Sequence, residues 1–183
     1  MVIGRLPDLN LKLFCRGWLL SAFALLSLVD MSGLQAALAP GEAERLKELD
    51  PYGSEVSRAV KEGDFDGYKA TCHPEGVMVS GASKRSYPLA EALAGWEKDF
   101  IATKQGKLKA SVQFRFSKRF GSSTTAHETG IFLYSTEDEL GGRARDYVHF
   151  EALLIKEGDK WKILMEYQKS NARPSQWDAL AEE

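Results

Sequence analysis

The chain has 183 residues, of which 44% are hydrophobic and 27% are charged, and its formal net charge at pH 7 is −2. This length and apolar content suffice for one domain with a hydrophobic core. The slightly acidic charge lacks the basic surplus on which nucleic-acid binding depends, so we expect no nucleic-acid partner.

The first 36 residues have the pattern of a secretory signal peptide. Basic residues, the last of them Arg16, precede an apolar run over residues 17–29, and small residues such as Ala36 follow it. The run is too short for a comfortable membrane span, and the three parts stand in the order of a cleaved leader. We predict cleavage after Ala36, a secreted or periplasmic location and no stable membrane span in the mature chain. An uncleaved amino-terminal anchor or a buried helix is the alternative.

Two helices are predicted after the leader. Residues 37–53 form a lead-in segment, whose helix-forming part is stopped at Pro51. Ser54 is a suitable N-cap for a helix that Gly63 ends, and Asp64 can cap the next, shorter helix.

A third helix is predicted from a stripe of large apolar residues. Leu89, Leu93, Trp96 and Phe100 are spaced four, three and four residues apart, so they share one face of a helix. Pro88 fits its first turn, because proline lacks only a backbone donor that is unpaired there.

The second half of the chain is predicted to be mostly sheet. A short strand over 77–79 precedes the third helix, and a short final helix can start at Pro174. Glycine-containing turns separate four long strand candidates, which cover residues 107–118, 123–136, 143–156 and 160–170. Helices followed by an antiparallel meander predict the α+β class.

Several segments together resemble the nuclear-transport-factor-2-like superfamily, which includes SnoaL-like and ketosteroid-isomerase-like proteins. The segments are the Val-Lys-Glu-Gly-Asp sequence at 60–64, the strand at 77–79, the amphipathic third helix and the Gly-Asp-Lys-Trp-Lys-Ile sequence at 158–163. The resemblance covers residues 54–170 and leaves residues 171–183 as a carboxy-terminal tail with a short helix. It implies a cystatin-like cone, in which three amino-terminal helices pack on a curved antiparallel sheet around a pocket, and it implies a homodimer.

The last hairpin predicts which side chains face that pocket. A two-residue loop, at Glu157-Gly158 or at Gly158-Asp159, puts side chains of the two strands on a common face. The apolar face carries Val148, Phe150, Ala152 and Leu154 together with Trp161, Ile163, Met165 and Tyr167. We therefore expect a pocket lined by Tyr68, Trp96, Val148, Phe150 and Met165. Tyr68 and Trp96 can alternatively be plain core residues.

The opposite face of the hairpin mixes polar and apolar side chains. It carries Tyr147, His149, Glu151 and Glu166, and we predict that it forms the dimer interface. Glu151 and Glu166 are also neighbours on paired strands, which is a possible carboxylate pair for acid–base chemistry.

The candidate catalytic residues are Asp146, Tyr167 and His73. Asp146 lies at the end of its strand, where a carboxylate at an apolar pocket mouth suits a general base, and isomerase-like relatives use a carboxylate in this way. Tyr167 or His73 would donate the proton. Alternatively, Asp146 pairs with Arg143 or Arg145, and His73 is an ordinary loop histidine.

We expect no cofactor and no metal site. Cys72, His73, His127 and His149 lack the spacing of metal ligands, and no nucleotide-binding or zinc-protease motif occurs. The leading hypothesis is an exported protein that binds a small apolar or mixed molecule. The alternatives are an isomerase- or cyclase-type enzyme with a pocket carboxylate as base, and a protein-interaction domain.

Overall fold

The computed structural model describes residues 42–180. In chain order the elements are α1 (Glu42–Glu62), α2 (Phe65–Ala70), β1 (Cys72–Ser80), β2 (Arg85–Pro88), α3 (Leu89–Lys104), β3 (Leu108–Gly121), β4 (Thr125–Asp138), β5 (Arg143–Glu157), β6 (Lys160–Asn171) and α4 (Pro174–Asp178). The predicted signal peptide and its cleavage site lie outside the described residues. Over residues 42–180, no helix is both long enough and apolar enough to cross a membrane.

The six strands form one curved sheet that does not close, in the order β2-β1-β6-β5-β4-β3. The α+β class is confirmed. The expectation of a purely antiparallel sheet is wrong, because β1 lies parallel to β6, whereas every other pair is antiparallel. Parallel neighbours need a long connection, and here α3 and the β3–β5 meander supply it. The helices also do not all precede the sheet, since β1 and β2 lie between α2 and α3.

Helix α1 runs through Pro51 without ending. The predicted stop there and the N-cap role of Ser54 are therefore wrong. Leu49 and Val56, on either side of the proline, are both buried, and burying such a side chain contributes about 1.5–3 kcal/mol. This burial offsets the backbone hydrogen bond that proline removes from a helix interior.

The predicted end of α1 at Gly63 and the predicted N-cap of α2 at Asp64 are both confirmed. Gly63 follows α1 with a φ of +66°, and a Cβ atom there would lie 2.4 Å from the backbone nitrogen of Lys104. The Asp64 side chain caps α2 by accepting a hydrogen bond of 3.0 Å from the backbone N–H of Gly67. Glycine at this junction lets α1 and α3 approach closely.

The predicted stripe of α3 is also confirmed. Leu89, Leu93 and Phe100 are buried, and Trp96 is half-buried. Together with α1 they cover the concave side of the sheet. The main core there comprises Leu49, Cys72, Met78, Leu89, Ala92, Leu93, Ala126, Phe150, Ala152, Leu154, Trp161 and Ile163.

A second, smaller cluster lies on the convex side, where α4 covers the sheet. Trp177 of α4 is buried together with Ile131 and Leu133. The Arg115 guanidinium lies 4.5 Å from the Trp177 ring centre, and its Nη1 donates a 2.9 Å hydrogen bond to the Trp177 carbonyl. The chain thus covers part of its own outer sheet face.

Gly130 gives a test of the close packing between β3 and β4. In Gly130→Ala the new Cβ would lie 2.1 Å from the carbonyl oxygen of Arg115, so backbone must shift and we expect a loss of about 1–3 kcal/mol in stability. Gly95→Ala is the matched control, because nothing lies within 4 Å of its Cβ position in α3. That variant should gain about 0.5–1 kcal/mol. Urea unfolding measures both, and equal midpoints for the two variants would contradict the described packing.

Candidate functional site

A cavity of about 1000 Å³ lies between α1, α3 and the concave face of the sheet. A cluster of phenylalanine rings forms part of its wall. Phe150 lies at the centre, with its ring 5.8 Å from that of Phe114, 6.0 Å from Phe116 and 5.9 Å from Phe132. Trp96 of α3 lines the same space. These rings form a surface that suits a flat apolar molecule.

Polar groups enter this cavity because the pairing between β5 and β6 shifts twice. Near the turn, Leu154 faces Ile163, but the next pair is Leu153 with Met165, so β6 contains one extra residue. Opposed residues share a face of the sheet, and one extra residue exchanges the two faces of a strand. Ala152 therefore faces Glu166, and the Glu166 side chain lies on the concave side.

The shift has consequences for three predicted residues. Met165 and Tyr167 pair with Leu153 and Glu151 on the convex face, so neither the pocket role of Met165 nor the donor role of Tyr167 agrees with their position. Glu166 lies in the cavity and not on the predicted dimer face. The two-residue loop itself is confirmed, since Glu157 pairs with Lys160.

A signal of the bulge was present in the sequence. Three apolar residues in a row, Ile163 to Met165, interrupt the alternation of β6. Gln168 lies two residues beyond Glu166 on the same face, and a second shift, between the pairs His149–Ser170 and Phe150–Gln168, brings Asn171 to the cavity as well. Sequence reasoning assigned Glu166 to the opposite face and did not select Gln168 or Asn171 as site residues.

Four of the predicted pocket residues do line the cavity. They are Tyr68, Trp96, Val148 and Phe150. Tyr68 and Trp96 also pack against each other, with ring centres 6.1 Å apart in an edge-to-face arrangement.

Glu166 is the chemically most unusual group of the cavity. Its Oε1 accepts a 2.7 Å hydrogen bond from Nε2 of Gln168, and no cation contacts it in the part of the chain that the structure describes. Its half-buried surface faces the cavity, and burial raises the pKa of the carboxyl group, although the bond from Gln168 acts in the opposite direction. A carboxylate whose pKa is raised in this way is a stronger base than an ordinary carboxylate.

The cation of the cavity wall is already paired. Arg119 donates from Nε to Oε1 of Glu128 over 2.8 Å and from Nη1 to Oδ1 of Asp50 over 3.0 Å. Its guanidinium also lies 4.3 Å from the ring centre of Phe116. The side chains of Arg119 and Glu128 are 8% and 5% exposed, so this is a buried ion pair. Arg119 thus neutralises Glu128, whereas no cation contacts Glu166 among residues 42–180.

Three weak acids line the cavity with Glu166, namely Tyr52 of α1, Tyr68 of α2 and Cys72 of β1. Burial, with the nearby charges of Cys72 and Glu166, raises the pKa of Tyr52. Burial and Glu166 likewise raise the pKa of Tyr68. Burial raises the pKa of the Cys72 thiol to about 12, so the thiol is not a nucleophile at neutral pH. All three groups stay protonated, and the two tyrosine hydroxyls can donate hydrogen bonds to a ligand.

Asp146 lines the mouth of the cavity, where it is exposed. It pairs across the sheet with Tyr134. The alternative of a salt bridge with Arg143 is not what the structure shows, because Arg143 donates from Nε to Glu137 over 2.8 Å. Within residues 42–180, Asp146 makes no ion pair. Asp99 of α3 lines the same end of the cavity.

His73 lies outside the cavity. Its Nε2 is 3.0 Å from Oε1 of Glu157, near the last turn, and its Nδ1 accepts a 3.1 Å hydrogen bond from the backbone N–H of Glu75. His73 thus lies at the start of β1, bonded to Glu157 and to the backbone, and it is not brought together with Asp146.

The predicted dimer face is partly covered by the chain itself. The ring of Tyr147 lies 6.0 Å from that of Trp177 in α4. Glu151 accepts a 2.6 Å hydrogen bond from Nζ of Lys169, and His149 is half-buried on the same convex side. Glu151 and Glu166 lie on opposite faces, so they do not form a carboxylate pair.

No family model and no curated protein matches this chain. Solved structures do resemble it. An NTF-2 like protein of unknown function from Shewanella oneidensis MR-1 has a TM-score of 0.52 at 17% identity, with 67% of this chain and 97% of that one covered. A ketosteroid isomerase-like protein from Erwinia carotovora atroseptica has a TM-score of 0.52 at 14% identity, covering 72% and 98%. ActVI-ORFA from Streptomyces coelicolor has a TM-score of 0.55 at 16% identity, covering 68% and 95%. At these identities the likeness shows a shared fold.

The raised pKa of Glu166 predicts a pH-dependent stability. The folded state holds this proton more tightly than the unfolded state, so the contribution of Glu166 is present below its ordinary pKa of 4.5 and is lost as the pH rises through the folded value. In Glu166→Gln this loss disappears. We expect similar unfolding temperatures for the variant and the natural protein near pH 4, and a variant more stable by at least about 2 °C at pH 8.

Thermal unfolding across this pH range measures the difference. Glu97→Gln is the control, because Glu97 is exposed on α3. An identical pH profile for Glu166→Gln and the natural protein would show that the carboxyl group is not desolvated.

Proposed function

We propose that this chain, which has the nuclear-transport-factor-2-like fold, binds an apolar ring-containing molecule in its cavity and catalyses proton transfer on it. The observation that carries this proposal is Glu166, a carboxyl group with a raised pKa on an aromatic cavity wall and with no cation beside it among residues 42–180. Such a group destabilises a fold, and perturbed carboxyl groups in cavities concentrate at functional sites.

Glu166 has the properties of a general base. Gln168 holds one carboxylate oxygen, which fixes the orientation of the group and leaves the other oxygen for a proton of the bound molecule. Desolvation raises its pKa, and a carboxylate with a raised pKa is a stronger base toward a carbon-bound proton.

Tyr52 and Tyr68 would stabilise the product of that step. When Glu166 removes a proton from the carbon next to a carbonyl group, negative charge develops on the carbonyl oxygen. A tyrosine hydroxyl that stays protonated can donate a hydrogen bond to this oxygen. Return of the proton from Glu166 to a different carbon completes an isomerisation. In a cyclisation the carbanion attacks a second carbonyl carbon of the same molecule, the π bond of that carbonyl breaks, and Glu166 returns the proton to the resulting alkoxide oxygen. The base of the sequence-based alternative is thus Glu166 and not Asp146.

Binding without turnover is the second candidate. The aromatic cavity supports it directly, because four phenylalanine rings and Trp96 offer a ligand surface whatever Glu166 does. The third hypothesis, a protein-interaction domain, depends on the convex face beyond α4.

Exchange of carbon-bound hydrogen tests the proposal without the natural substrate. 2-Tetralone, a bicyclic ketone with acidic α-protons, is incubated with the protein in D2O, and NMR follows loss of the α-proton signals. We expect Glu166→Gln to slow the catalysed exchange by about 10²–10⁴-fold, with little change in the affinity for 2-tetralone. Glu97→Gln should behave like the natural protein.

The outcomes separate the two candidate functions. Undiminished exchange with Glu166→Gln would eliminate Glu166 as the base. Binding of 2-tetralone without exchange by the natural protein would favour the binding protein, and absence of both would contradict the cavity as a site for bicyclic ketones.

We further propose that the mature chain is exported and forms a homodimer. Leu153, Met165 and Tyr167 are half-buried on the convex face next to the part that α4 covers, which leaves an apolar surface for a second copy. Native intact-mass measurement of protein purified from its export pathway should show a dimer of chains that lack residues 1–36. A monomer, or a chain that keeps those residues, would contradict the respective half of this proposal.

A further inference from the structure

We infer that the cavity is selective for a molecule with a positively charged amine at one end of an apolar ring system. This inference rests on the proposed function, in that a ring-containing molecule binds between α1, α3 and the sheet. It adds that the ligand is positively charged and that its charged end lies at the mouth of the cavity.

The charge of the lining is strongly one-sided. Among the described residues, five acidic side chains and one basic side chain line the cavity, namely Asp50, Asp99, Glu128, Asp146 and Glu166 against Arg119. The basic one is engaged by two of the acids. A negatively charged ligand would therefore be repelled, whereas a cationic ligand would be attracted.

The mouth is the place where an amine would bind. Asp99 comes from α3 and Asp146 from β5, and both line the cavity together with Tyr134 of β4, which pairs with Asp146. Burial raises the pKa of Tyr134, and the charges of the two aspartates raise it further. Neither carboxylate has an ion-pair partner over residues 42–180.

Aromatic rings complete the environment for a cation. Trp96 precedes Asp99 by three positions on α3, so both lie on one side of that helix. Its ring and that of Tyr134 line the cavity next to the two carboxylates. An ammonium group is attracted to the faces of such rings in addition to the carboxylates.

The distance between the mouth and Glu166 sets the shape of the ligand. Glu166 pairs with Ala152 of β5, and Asp146 lies six residues along that strand. Six residues of an antiparallel strand span about 20 Å. A molecule that reaches both sites is therefore elongated, with the amine at the mouth and the reacting carbon near Glu166.

Three bicyclic compounds with the same ring system and different charge test this inference. They are 2-aminotetralin, which is a cation at pH 7, the neutral 2-tetralol and the anion tetralin-2-carboxylate. We expect calorimetric titration at low salt to give an affinity for the amine about tenfold higher than for the alcohol, and a still weaker affinity for the carboxylate. Added salt should reduce the difference, because it screens the charges at the mouth.

Substitutions at the mouth identify the carboxylates responsible. Asp99→Asn and Asp146→Asn should each lower the affinity for the amine by about threefold, and the double variant by about tenfold, with the alcohol unaffected. Glu97→Gln is the matched control, since it removes an exposed charge from α3 two positions before Asp99.

Each result of these titrations either supports or overturns the inference that the cavity prefers an amine. An amine that binds no more tightly than the alcohol would overturn this inference and leave the proposed function standing. A preference for the amine that survives the double variant would overturn the assignment to Asp99 and Asp146. If none of the three compounds binds, the proposed binding of bicyclic molecules fails as well.

Discussion

The register between β5 and β6 is the constraint on which the cavity depends. One extra residue in β6 between Ile163 and Met165 exchanges the faces of the strand. Without it, Met165 and Tyr167 would face the helices and fill the space with apolar side chains. With it, Glu166 and Gln168 face the helices, opposite the small Ala152. The same local irregularity therefore produces both an open cavity and its polar chemistry.

The two carboxyl groups on this wall show how differently a sheet can hold an acid. Glu128 of β4 and Glu166 of β6 both face the cavity, and each pairs with Ala152 of β5, which lies between them. Arg119 neutralises Glu128 in a buried ion pair, whereas Glu166 has the neutral amide of Gln168. Glu128 therefore has a structural role in an ion pair. Glu166 remains available to exchange a proton, and its burial without a cation lowers the stability of the fold.

The sequence predicted those elements whose causes are local. The helical stripe from Leu89 to Phe100, the cap at Asp64 and the tight turn at Gly158 each depend on neighbouring residues. The errors have tertiary causes. Helix α1 continues through Pro51 because Leu49 and Val56 are buried on both sides of it. The parallel pairing of β1 and the cover that α4 gives to Tyr147 depend on parts of the chain far away in sequence.

The predictions for the site likewise succeeded where they depended on local pattern and failed where the pairing of strands is irregular. Alternation correctly assigned Val148 and Phe150, which precede the bulge, to the cavity, and it failed from Met165 onward. Alternation rests on an unbroken ladder, and a single inserted residue reverses the assignments up to the next irregularity, which in β6 lies between Gln168 and Ser170. Glu166 was consequently assigned to the wrong face, although the apolar run at 163–165 marks the interruption.

The parallel pair of β1 and β6 also determines when this protein can fold. Strand β1 can pair with β6 only after residues 160–171 have been synthesised. Ile131 and Leu133 likewise stay uncovered until the segment that contains Trp177 packs on them. A chain that emerges from the ribosome amino terminus first therefore carries uncovered apolar surface through nearly the whole of its synthesis. Completion of the sheet requires the carboxy-terminal residues and is therefore a late event, so a nascent or truncated chain is a natural client for chaperones.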